Sequence, residues 1–151
     1  MTKQIFPTLI LSLFLINCKN PETTKYAVGQ EWNYKTRTGE EKSTLKILKI
    51  EEYPKQGKVI HISIGNLKVG NPDVDKGFAN ELTHIPITEE ALDKSVTVLK
   101  NRKVKLPIKI EGYDYWKKEF DQGVAGVFSI TVGEIVAAME EAIITREGVV
   151  E

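Results

Sequence analysis

Three segments near the start of the chain alternate apolar and polar side chains, and this pattern constrains the fold more than any other feature of the sequence. The segments span residues 31–37, 44–51 and 58–64. In the second segment the apolar phase slips between Ile47 and Leu48, which predicts a bulge or a twist. Period-two alternation of this length is typical of half-buried strands. The intervening stretches contain Gly39 and Gly57, as expected of tight turns. Consecutive strands joined by short turns predict an antiparallel meander.

A shorter fourth strand and a helix are expected next. Residues 81–87 are read as the strand. Thr88 has the character of an N-cap, and two glutamates follow it at the positive end of the helix dipole. Leu92, Val96 and Leu99 recur at helical spacing, which predicts that they form the buried stripe of this helix.

Two more helices are predicted in the second half of the chain. Gly112 begins the first of them, in which Tyr113, Trp116 and Phe120 share one face. A capping box over residues 131–134 begins the second. Its expected buried residues are Ile135, Ala138, Met139, Ala142 and Ile143. The predicted fold is α+β, with an antiparallel sheet of three to four strands packed on one face by about three helices.

The first residues have the pattern of a bacterial export signal. Lys3 precedes an apolar run over residues 5–16. That run is shorter than the roughly 20 residues that a membrane-spanning helix needs, but it fits the apolar core of a secretory signal. Leu15-Ile16-Asn17-Cys18 resembles the lipobox of bacterial lipoproteins, in which a leucine stands three residues before an obligatory cysteine. An ordinary signal peptide or a short anchor, with a chance cysteine, is the alternative.

The lipobox resemblance implies a processing pathway and a location. Residues 1–17 would be removed as a signal peptide, and Cys18 would carry a diacylglyceryl group and fatty acyl chains such as palmitate. Two chains are enough for stable attachment to a membrane. The protein is therefore expected to be lipid-anchored in the bacterial cell envelope, either periplasmic or surface-exposed. Residues 18–25 are polar and predict a flexible tether, followed by a single domain over 26–143 and a frayed tail over 144–151.

The composition restricts the partners of the chain. Lysine and arginine together number 21, and so do aspartate and glutamate. This balance leaves no basic excess for nucleic acid, and it predicts no polybasic surface for anionic lipid. Because Cys18 is the sole cysteine, the folded part needs no disulfide and has no cysteine-based metal site. No cofactor is predicted.

No motif in the sequence predicts catalysis. The chain has no GxSxG, P-loop or GxGxxG pattern. The Asx-rich stretch 71–77 has Lys76 where a calcium loop needs a glycine, and Leu82 follows where the loop needs a bidentate glutamate. We therefore interpret the stretch as a turn. His61 and His84 are the only histidines, and nothing in their spacing predicts a metal site. His61 alternates with isoleucines, so we expect it on the opposite, wetter face of its strand.

A few residues are candidates for binding. Most aromatic residues are expected in the core, but Tyr115 lies off the face shared by Tyr113 and Trp116, so it is predicted to be exposed. Lys35 and Arg37, on the polar side of the first strand, and His61 are the other binding candidates. We predict no catalytic residue and no metal ligand.

Two segments resemble a family of small uncharacterised bacterial proteins. They are GQEWNYKTRTGEEKSTLKILKIE and EGYDYWKKEFDQGVAGVFSITVGEIVAAMEEA. The resemblance spans residues 26–143 and implies no activity. The favoured function is a non-catalytic binding or interaction domain, tethered to the membrane through Cys18, with a protein as its possible partner. The alternative is a small envelope hydrolase or ligand-binding enzyme whose site has no recognisable motif.

Overall fold

The computed structural model describes residues 24–70 and 77–147. Within these ranges the chain forms five strands and three helices. They are β1 (Glu31–Tyr34), β2 (Thr44–Tyr53), β3 (Gly57–Gly70), β4 (Phe78–Thr88), α1 (Glu89–Ser95), β5 (Val96–Asn101), α2 (Tyr113–Asp121) and α3 (Val132–Glu147). Residues 1–23, which include Cys18 and most of the predicted tether, lie outside the described residues, as do residues 71–76 and 148–151.

The strands form one antiparallel sheet in the order β4-β3-β2-β1-β5. The predicted α+β class and the meander of the first strands are therefore confirmed. The sheet has five strands in the described part of the chain, one or two more than expected. The additional strand is β5, which pairs with β1 at the edge.

The predicted first helix is shorter than its apolar spacing indicated. The N-cap is confirmed, since Thr88 Oγ1 accepts a hydrogen bond of 3.2 Å from the amide of Ala91. The helix ends at Ser95, however, and Val96 and Leu99 belong to β5, where they pair with β1. Val96 begins a run rich in β-branched residues, whose restricted side chains favour strands over helices.

The main core lies between one face of the sheet and the helices α1 and α3. Ile60, Ile62 and Ile64 of β3 are fully buried in it. Leu92 of α1 and Ile135 of α3 belong to the same cluster. The prediction that helices cover one face holds for these two helices, because the alternation of β3 directs its isoleucines toward them.

The second helix, α2, packs on the opposite face of the sheet. Trp116 and Tyr113 contact His61, which alternates with the isoleucines of β3. The predicted shared face of α2 is confirmed, since the Trp116 and Phe120 rings stack 4.7 Å apart. Both faces of the sheet therefore carry a helix.

The third helix begins as predicted and buries a slightly different face. The amide of Thr131 donates to Oε2 of Glu134 at 2.8 Å, which confirms the capping box. Ile135 is buried as expected, but Ala138 and Ala142 are exposed. The helix continues to Glu147, past the residue at which the tail was expected to begin.

Candidate functional site

The candidate site lies on the face of the sheet that α2 covers. His61, in the first half of β3, is on the predicted side of its strand, but its side chain has no exposed surface. The expectation that this face would be wetter was wrong, because the aromatic residues of α2 pack over it. The Trp116 ring centre lies 4.9 Å from that of His61, and the Tyr113 ring centre lies 5.2 Å away.

The two histidines of the chain are hydrogen-bonded partners. Nδ1 of His61 lies 2.9 Å from Nε2 of His84, and the rings are nearly parallel. The strands that carry them, β3 and β4, are neighbours in the sheet. Their register shifts between Ile62 and Ile64, next to the two histidines. His61 pairs with Pro86, so His84 lies diagonally opposite His61 on the same face of the sheet. The contact could not be foreseen from sequence spacing, because it depends on the register between two strands.

A carboxylate extends the histidine pair on the other side. Nε2 of His61 lies 3.0 Å from Oε2 of Glu51 on β2. Nε2 is buried and forms no well-formed hydrogen bond. We therefore describe this contact as an electrostatic one. Glu51, His61 and His84 form a continuous row from β2 to β4, which we call the imidazole row.

Two residues fix the carboxylate end of the imidazole row. The Tyr113 hydroxyl donates to Oε2 of Glu51 at 2.8 Å and accepts from Nζ of Lys49 at 2.6 Å. Nζ of Lys49 also lies 3.3 Å from Oε1 of Glu51. Burial alone would raise the pKa of Glu51, but the hydrogen bond from Tyr113 and the charge of Lys49 lower it instead. Glu51 is therefore ionised near neutral pH.

Both imidazoles are held in their neutral form. Burial, together with the neighbouring His84, lowers the pKa of His61 to about 4, against the opposing effect of Glu51. Burial also lowers the pKa of His84. A neutral imidazole has one nitrogen donor and one nitrogen acceptor, so His84 can either donate or accept a hydrogen bond.

A groove of about 420 Å³ adjoins the outer end of the imidazole row. It is lined by His84, Pro86, Trp116, Ala125, Gly126, Val127 and Phe128. The segment after α2 forms one wall because Phe128 joins the edge of β4. Its amide donates to the carbonyl of Pro86, and its carbonyl accepts from the amide of Thr88, both at 2.9 Å.

The groove suits an apolar group with one polar atom. His84 is the single titratable residue among its lining residues, and most of the others are apolar. Sites for small molecules are commonly concave and apolar, with a few polar groups that set the orientation of the ligand. Sequence reasoning missed His84 as a site residue. The available signal was that a chain with two histidines placed both of them in predicted strands.

The other predicted binding residues lie away from the groove. Tyr115 is 73% exposed on α2, as expected, but it does not line the groove. Lys35 follows β1 and is exposed. Arg37 forms ion pairs with Glu40 at 2.8 Å and Glu140 at 2.5 Å, so its guanidinium is already engaged by two carboxylates. The structure therefore groups His61 with His84 and separates it from these three residues.

The described residues include no cluster of three metal-ligating side chains. None of the helices in the described ranges combines the length and the apolar content needed to cross a bilayer. Comparisons of the chain with protein-family models, curated proteins and solved structures gave no match. The resemblance to small bacterial proteins therefore depends on the two quoted segments alone.

Proposed function

We propose that this chain is a lipid-anchored protein of the bacterial envelope whose domain binds a ligand in the groove beside His84. The ligand presents an apolar, flat or branched group to Trp116 and Phe128, and one hydrogen-bonding atom to His84. A small molecule and an apolar side chain of a partner protein both have this chemistry. The observation that carries the proposal is a neutral imidazole at the edge of an otherwise apolar concavity.

The groove is supported from behind, as a binding site requires. Trp116 is only 7% exposed, and its indole N–H donates to the carbonyl of Gly126 at 2.8 Å. This bond joins α2 to the wall of the groove. On the other side, His84 is positioned by its hydrogen bond to His61. Side chains held by packing and hydrogen bonds lose little entropy when a ligand binds.

Ligand binding can be followed with Trp116 itself. The chain has two tryptophans, and Trp32 lies in the main core on the other side of the sheet. In a Trp32→Phe background, fluorescence therefore reports on Trp116 alone. A set of small aromatic acids, alcohols and amides should contain compounds that change this fluorescence in a saturable manner.

A matched pair of variants tests where these compounds bind. Val127→Arg places a long charged side chain in the groove and should abolish binding. Val98→Arg makes the same change at an exposed valine of β5 and should leave binding unchanged. Equal binding to both variants, or no saturable response to any compound, would contradict the proposed site.

The anchor is tested separately. In bacteria fed labelled palmitate, the wild-type chain should incorporate label, and Cys18→Ala should lose it and accumulate as the uncut precursor. Incorporation of label by Cys18→Ala would show that the lipid is not carried by this cysteine.

The imidazole row favours a second candidate function, acid–base catalysis by His84 on a water or substrate in the groove. Glu51 and His61 would then orient His84 and stabilise its positive charge, as carboxylates do for catalytic histidines. His61→Asn distinguishes the two functions. If the protein only binds, this variant keeps most of its affinity. If His84 is a general base, kcat falls by a factor of about 10² or more while ligand affinity changes little.

A further inference from the structure

A strongly basic stretch lies at the edge of the sheet, despite the zero net charge of the chain. Residues 100–109 contain five cationic residues and no acidic residue. We call them the basic strip: Lys100, Arg102, Lys103, Lys105 and Lys109. All five are exposed. The expectation of no polybasic surface came from the overall charge balance, which does not reveal local clusters, and it is wrong for this edge of the domain.

Much of the positive charge of the basic strip is uncompensated. Lys100 lies 3.2 Å from Glu31, and Lys109 lies 3.5 Å from Asp114. Arg102, Lys103 and Lys105 form no ion pair with any residue in the described parts of the chain. These three cations are therefore available to an external anionic partner.

The basic strip lies beside Gly29, four residues after the last residue of the predicted tether. The amide of Val104 donates to the carbonyl of Gly29 at 2.8 Å. Gly29 closely follows Thr24, the first described residue. Six peptide units separate Cys18 from Thr24, and they span at most roughly 20 Å even when fully extended. A lipid on Cys18 would thus keep the basic strip close to the surface of the bilayer.

We propose that the basic strip docks on anionic phospholipid headgroups of the membrane that holds the lipid anchor. This inference rests on the anchor in the proposed function. Charged lipid surfaces attract lysine and arginine within a Debye length, which is about 8 Å at physiological ionic strength. Tethering makes the contact intramolecular, so a weak attraction suffices to orient the domain. Ile108, whose side chain is fully exposed within the same stretch, adds an apolar contact to the interfacial region.

The test measures the distance between the basic strip and the lipid surface in the lipidated full-length protein. Cys18 is the only cysteine and its sulfur is blocked by the lipid, so a fluorophore can be placed selectively on Val98→Cys, at an exposed site on β5. An acceptor dye is attached to lipid headgroups. Energy transfer should be greater in vesicles of phosphatidylcholine with phosphatidylglycerol than in phosphatidylcholine alone, and high salt should remove the difference.

Paired charge variants test the contribution of the basic strip. Lys103→Gln with Lys105→Gln should weaken docking roughly 25-fold, because each cation near an anionic surface contributes about fivefold. Lys42→Gln with Lys55→Gln removes the same charge from the turns on either side of β2 and should leave docking unchanged. An equal loss in both pairs would show a general effect of net charge and overturn the proposal.

Flotation of the same vesicles distinguishes a failure of the lipid anchor from a failure of docking by the basic strip. A protein that fails to float with neutral vesicles has no functional anchor, which contradicts the proposed function. A protein that floats with both kinds of vesicle but gives equal energy transfer is anchored without docking. That result overturns the present inference alone, and an acidic protein would then be the better partner for the basic strip.

Discussion

His61 and His84 are buried as neutral imidazoles, and their burial makes the stability of the fold depend on pH. The pKa of His61 falls from 6.5 to about 4 on folding. The unfolded chain therefore binds more protons than the folded chain as the pH falls below about 6.5, and stability decreases in that range. The groups that face His61 are His84, Glu51, Lys49 and Tyr113. Both histidines have a pKa near 6.5 in the unfolded chain, so their protonation on unfolding accounts for the loss in this range.

We expect the free energy of unfolding to fall by about 3 kcal/mol between pH 7 and pH 4 because of His61, since one pKa unit corresponds to about 1.4 kcal/mol. Urea unfolding at a series of pH values measures this loss. In the double variant His61→Gln and His84→Gln, the slope between pH 6.5 and 5 should be nearly flat. The same slope in wild type and double variant would mean that other groups are responsible.

Trp116 and its neighbour Tyr115 provide a matched comparison on α2. Trp116 is buried, stacks on Phe120 and donates a hydrogen bond to Gly126. Trp116→Ala should cost about 3–5 kcal/mol, as is typical of a buried aromatic residue. Tyr115→Ala, at an exposed site, should change stability by no more than about 0.5 kcal/mol. Chemical denaturation of both variants checks this. A Trp116→Ala variant as stable as wild type would show that the groove lacks its rigid wall.

At the scale of elements, a single buried hydroxyl connects α1 to α3. Ser95 Oγ donates to the carbonyl of Ala91 at 2.7 Å and accepts from the amide of Val132 at 2.9 Å. Ser95→Ala would leave the amide of Val132 buried without its partner, which costs about 1–3 kcal/mol. Thr97→Ser, at an exposed position two residues later in β5, serves as control and should be nearly neutral. The denaturant midpoints of the two variants measure the loss of stability. Equal midpoints would mean that water replaces the Ser95 hydroxyl.

Local patterns predicted the elements whose determinants lie within a few residues of one another. Both helix caps follow from short motifs at Thr88 and Thr131, and the alternation of β3 placed His61 on the correct side. The contacts made over long sequence distances were not predictable. The burial of His61 depends on α2, more than fifty residues later, and the strand at Val96 depends on an open edge of β1. For the same reason the groove, which three separate segments enclose, left no local signal.

At the scale of the whole molecule, the structure limits how late along the chain the folded domain can begin. Tyr26 is almost completely buried, and its hydroxyl donates to Oδ1 of Asp93 at 2.6 Å. Its ring also packs edge-on against Trp32 at 5.6 Å. Tyr26 therefore belongs to the main core, although it lies only eight residues after the cysteine that is proposed to carry the lipid. The domain has a hydrophobic core on one face of its sheet and aromatic packing on the other face. We therefore expect it to fold without a membrane.

A chain that begins at Lys25 should therefore be soluble and monodisperse, and it should unfold in one cooperative transition. A second chain that begins at Val28 lacks Tyr26 and provides the control. It should lose about 3 kcal/mol, by analogy with the removal of other buried aromatic residues. For a domain of this size the loss corresponds to a decrease in Tm of roughly 10 °C. Differential scanning calorimetry of both chains measures these values. A broad, non-cooperative transition in the longer chain would show that the lipid or a partner is required for the fold, whereas equal Tm values would place the start of the domain after Tyr26.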